Sequence, residues 1–146
     1  VACLAALVVP VVAHAQSDHS SAASWSAADQ AALRGYRLTM DNVRRIYAAY
    51  DEVNEVDTTT DAASWTTLDI GIAALSTPAV KAVLAKRQLT PREFILGFIE
   101  LQEAASAFYA QKTGRPPLDH AASAENVQFY AAHQAELEHP TDSSSH

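Results

Sequence analysis

The sequence predicts an all-α protein, an antiparallel bundle of four to five helices behind a cleaved signal peptide. Three features of the 146 residues lead there. Apolar side chains recur at steps of three and four, the spacing of one helix face. A hydroxyl residue stands before proline at Thr77-Pro78 and again at Thr90-Pro91, the order in which a cap and a first helical residue occur. Only four glycines interrupt an alanine-rich chain, which leaves little material for strands and their turns.

Val1–Ala15 is a run of Val, Ala and Leu that closes on Ala13-His14-Ala15, an apolar core followed by a small-x-small cleavage site. It is shorter than the roughly 17–25 residues of a membrane-spanning helix. No Met or basic segment precedes it, which implies a leader that begins a few residues earlier. Cys3 as a lipidated cysteine would leave the apolar run on its wrong side. Cleavage after Ala15 leaves a mature chain without cysteine, so disulfides, thiolate metal sites and cysteine nucleophiles are excluded from it. Residues 16–25 are too polar to order themselves and read as a flexible arm; 139–146 read as a disordered tail. The single domain is expected over 26–138.

Within it, Ser26 to Arg34 reads as a short first helix ended by Gly35. Thr39 caps a second whose face is Val43, Ile46, Tyr47, Tyr50 and Val53. Asp51 to Asp61 reads as helix end and loop. A calcium loop counted from Asp57 would need Gly and Glu where Ala62 and Leu68 stand. Trp65, Leu68, Ile72 and Leu75 share the next stripe, and Pro78 opens a helix that turns Val80, Val83 and Leu84 inward. Thr90-Pro91-Arg92-Glu93 is a capping box for a helix that is apolar most of the way round, so it belongs at the bundle centre with Phe98 in its core. Gly114, Pro116 and Pro117 stop it. Ser123 caps the last helix, through Val127, Phe129, Tyr130 and Leu137.

Ten Lys and Arg against seventeen Asp and Glu give a net charge of −7 with no basic cluster, which opposes nucleic-acid and anionic-membrane binding. Membrane contact is not expected once the leader is removed. No phosphate loop, nucleophile elbow or zincin motif occurs, and no cofactor is implied by any motif. Among His120, His133, His139 and His146 no two stand three or four residues apart, the spacing that lets two imidazoles of one helix ligate one metal, which disfavours a metal cage, and His19 would be fourth after cleavage where an amino-terminal copper site needs it third. Glu93 is occupied by its capping box. Glu100 and Glu103 are expected on the solvent stripe of the central helix.

Two groups of candidate site residues remain. Met40, the only methionine, and His133 could together ligate a b-type haem if the first and last main helices are neighbours. Tyr36, Tyr47, Tyr50, Tyr109 and Tyr130 could form a partner or ligand surface, because a phenol at a core boundary combines apolar area with a polar handle.

At Leu38-Thr39, at Leu89-Thr90-Pro91-Arg92-Glu93-Phe94 and at Asn126-Val127-Gln128-Phe129 the chain resembles a group of small exported helical bacterial proteins of unknown function. The resemblance covers most of the mature chain. It implies export and helicity and brings no activity. The expected function is a non-enzymatic, periplasmic or secreted interaction or accessory module, with an envelope protein or a small apolar ligand as its partner; the alternative is a haem or metal carrier built on Met40 and His133.

Overall fold

A Ser or Thr hydroxyl opens every helix in the described residues. The computed structural model describes residues 25–56, 67–115 and 122–138. The leader, most of the arm, the acidic loop with Trp65, the tail, and every histidine but His133 lie outside them. The helices are α1 (Ala27–Gly35), α2 (Met40–Val56), α3 (Leu68–Ala74), α4 (Pro78–Lys86), α5 (Pro91–Thr113) and α6 (Ala124–Glu138). Ser26, Thr39, Thr67, Thr77, Thr90 and Ser123 each accept a hydrogen bond from the amide three residues on, at 3.1 to 3.4 Å. Each satisfies a donor the helix itself leaves unpaired and contributes about 1 kcal/mol.

Two caps are reciprocal. At α5 the Glu93 carboxylate accepts from the Thr90 N–H at 2.8 Å, completing the box. At α2 the side-chain oxygen of Asn42 accepts from the Thr39 N–H at 2.9 Å and does the same with an amide. Gly114 ends α5 in the left-handed region, at φ 69. Gly35 behaves differently from the expectation: α1 runs through it, and Tyr36 closes the helix in an extended conformation.

The protein is all-helical in these residues, with six helices where four to five were expected. The six segments that caps and stripes mark one by one each form a helix of their own, the short α1, α3 and α4 included. Thr77-Pro78 breaks what would be one helical segment into two short helices bent by 94°.

The long helix α5 packs against α1, α2, α3, α4 and α6, so its nearly continuous apolar surface is covered from every side. Its first half, Phe94, Ile95 and Leu96, joins Ile46, Ala49 and Val53 of α2, Leu68 of α3 and Val80, Val83 and Leu84 of α4. Its second half, Leu101, Ala104, Ala105 and Ala107, meets Val127, Tyr130 and Leu137 of α6 together with Leu38 and Val43. Trp25, which composition assigns to the arm, is half-buried against the first cluster.

Phe98 is not at the centre. It is half-buried, its ring stacked between Tyr50 (centroids 5.3 Å apart) and Phe94 (6.0 Å). The interior position belongs to Phe94, 2% exposed. Phe94→Ala should therefore cost about 3–5 kcal/mol in urea unfolding, and Phe98→Ala closer to 2 kcal/mol, because its truncation opens toward water. Equal losses would contradict this order.

Candidate functional site

Covering α5 on all sides forces one of its carboxylates inside. Glu100 is 2% exposed, which corrects its assignment to the solvent stripe, and Glu103, one turn on, is half-buried. The amide of Asn126, 1% exposed on α6, explains how a carboxylate is accommodated there. Its Nδ2 donates to Glu100 Oε2 and to the Tyr36 carbonyl, both at 2.7 Å. Its Oδ1 accepts from the Leu38 N–H at 3.0 Å. One side chain thus fastens α6 to α5 and to the link between α1 and α2.

Burial pushes the Glu100 carboxyl above its ordinary range, while Asn126, the Ser123 N–H and the Arg34 guanidinium act in the opposite sense. Glu103 is pushed up to about 7, by burial first and then by the charge of Glu100. Both line a small, partly open cavity of about 20 Å³ between α1 and α5, together with Trp25, Gln30, Leu33, Arg34 and Ile99. That is room for about one water.

A carboxyl whose folded pKa lies above its unfolded one holds its proton more tightly in the native state. The native state is then favoured below about pH 4.5, and that advantage is lost as pH rises toward 7. Urea midpoints should fall between pH 5 and 8 by the equivalent of about 2 kcal/mol, water at the half-buried Glu103 moderating the full shift. In Glu103→Gln most of that slope should vanish.

The second polar group gathers the tyrosines. Glu138, at the end of α6, accepts from the hydroxyls of Tyr109 and Tyr130 and from Gln134 Nε2, the last at 3.0 Å; Gln134 also donates to the Tyr109 oxygen at 3.2 Å. Burial and then the Glu138 charge raise the Tyr47 and Tyr130 hydroxyls. One turn along α2, Tyr50 stacks on Phe98. Tyr109 and Tyr130 thus share one carboxylate between α5 and α6, while Tyr47 and Tyr50 stand one turn apart on α2. Tyr47 and Tyr50 remain 38% and 40% exposed. Tyr36 stands apart, with its ring turned onto α5 at Gly97.

Met40 is half-buried at the start of α2 against the α5–α6 cluster, and His133 is half-buried with its ring 4.7 Å from that of Phe129. Among the described residues, no hydrogen bond or ring contact joins the two, and neither lines the cavity. No group of three or more His, Cys, Asp or Glu comes together among the described residues to hold a metal, and no single helix there is long and apolar enough to cross a membrane.

Sequence reasoning missed Glu100, Asn126, Gln134 and Glu138. For Glu100 a partial signal exists: of its four helical neighbours, Leu96, Gly97 and Ala104 are apolar or small, and Glu103 alone continues the polar edge. No family model, curated protein or solved structure matches this chain.

Proposed function

We propose that this chain is the precursor of an exported module, an antiparallel bundle built around α5, which binds a partner protein through the tyrosine-bearing edge of α2. The observation that carries this reading is the state of Tyr50. Its ring is 40% exposed, yet it is held flat on Phe98, which is itself backed by Phe94. An aromatic side chain that is already immobilised loses little further entropy on contact, the condition under which tyrosine becomes an interface anchor. Tyr47, also exposed, extends the apolar edge, and the exposed carboxylates Asp51 and Glu55 rim it. With the net charge of −7, this favours a partner with a small apolar patch bordered by Lys or Arg. The cavity between α1 and α5 has room for about one water, so it lends no support to a small apolar ligand.

Export rests on the apolar Val1–Ala15 run and its small-x-small end. The intact mass of the envelope-purified protein should begin at Gln16. A photo-crosslinking phenylalanine at Tyr50 should give one discrete adduct in the envelope, weakened by salt and absent when the probe sits at the exposed Ala31 of α1. No adduct, or the same products from both positions, would overturn the reading. A Soret band lost on substitution of Met40 or His133 would replace it with the haem carrier.

A further inference from the structure

The Glu100–Glu103 pair sits beneath α1, and the tyrosine edge makes no use of it. Three observations bear on what it does. First, α1 is held weakly: in nine residues it buries one side chain fully, Leu33, with Trp25 and Ala32 packed partly beside it. Second, the surface it covers is not apolar, because the cavity under it is lined by both carboxyls of α5. Third, compensation for their charge is thin. From α1, Arg34 and Gln30 face the cavity, and Arg34 lies beyond ion-pair distance of either glutamate, its guanidinium donating to Gln30 at 3.4 Å. From α6 come only neutral donors, Asn126 and the Ser123 N–H, and both serve Glu100. No charged group of α2, α3 or α4 lines the cavity or acts on either carboxyl.

We propose that α1 is a pH-sensitive clasp: it closes over the α5 carboxyls while they share a proton between them and opens when both are charged. With one charge, Glu100 takes the Asn126 amide and a protonated Glu103 is tolerated in a half-dry site. A second charge one helical turn away has no donor of its own and repels the first, and it is relieved by letting water in. Since the lid is held by one fully buried leucine with only Trp25 and Ala32 partly packed beside it, opening α1 answers that demand without unfolding the bundle. The raised affinity of Glu103 for its proton, up to about 7, puts the transition near neutral pH. Opening would expose Leu33, Ile99 and Trp25, an apolar seat bordered by two carboxylates.

The experiment uses the full mature chain carrying Trp65→Phe, which leaves Trp25 as its only tryptophan and thus as a reporter on the cavity wall. Trp25 emission and amide hydrogen exchange are followed from about pH 5 to pH 8, with exchange corrected for its intrinsic pH dependence. The expected result is a red shift and a loss of about tenfold or more in protection confined to residues 27–35, while α5 and α6 keep theirs. Glu103→Gln should hold α1 closed across the range. Constant α1 protection in the parent protein, a loss spread over all six helices, or a Glu103→Gln variant that opens like the parent would each overturn the clasp.

Discussion

Gly97→Ala should cost about 3 kcal/mol and shift the urea midpoint more than any other single-methyl addition to this protein. Gly97 is buried where α2 and the α1–α2 link come closest to α5. A Cβ there would fall inside contact distance of Ile46 Cδ1 and 2.9 Å from the Tyr36 hydroxyl. Ile46 is fully buried, so its end has nowhere to retreat, and overpacking of this kind forces off-rotamer side chains or a helix displacement. The intrinsic helix preference for alanine over glycine, about 1 kcal/mol, acts the other way and is outweighed. A double-mutant cycle identifies the cause. Ile46→Val removes the clashing methyl and alone should cost about 1 kcal/mol, but combined with Gly97→Ala it should recover part of the loss. Simple additivity of the two would show that the Ile46 contact is not what makes Gly97 necessary.

Asn126→Ala should be at least as damaging, at about 3–5 kcal/mol. The substitution removes little apolar contact but takes a partner from three groups at once: the Leu38 N–H, the Tyr36 carbonyl and the Glu100 carboxylate, which keeps only the Ser123 N–H. Each buried polar group left without its partner costs roughly 1–3 kcal/mol, and a buried carboxylate stands at the upper end. The part due to Glu100 is separable by pH. At about pH 5 that carboxyl is closer to neutral, so the gap between Asn126→Ala and the parent should narrow on acidification and widen again at about pH 8. Asn126→Asp, which sets a second carboxylate against Glu100, should show the same trend more strongly. Melting curves at the two pH values decide the matter, and a gap independent of pH would place the loss in the two backbone partners alone.

Gly97 and Asn126 also mark where sequence reading stops. Nothing in the residues around Gly97 marks it as the point at which Ile46 and Tyr36 converge. Asn126 reads as a polar residue in the first turn of a helix, which it is; that its side chain turns inward to hold three partners is invisible in its neighbours. Phe98 shows the same limit from the other side. A stripe of Phe94, Phe98 and Leu101 is correct as a stripe, yet when a helix is covered all round, periodicity no longer tells which member is deepest. The tyrosines could be named in advance, whereas the Glu138 carboxylate that gathers Tyr109 and Tyr130 could not.

What the amino-acid order determined by itself is local. All six helix starts rest on a hydroxyl and an amide three residues apart, and the break between α3 and α4 rests on one proline, so each is decided by atoms that adjoin in the chain whatever the rest does. The all-α class follows from those signals and the apolar spacing. What only the tertiary structure decided is the chemistry. Glu100 meets a residue 26 positions away, and that same residue reaches back 88 positions to Leu38. Whether a carboxylate is solvated or buried depends on which helix comes to lie over it, and that is settled by packing across the whole core, where every apolar face competes for the same partner.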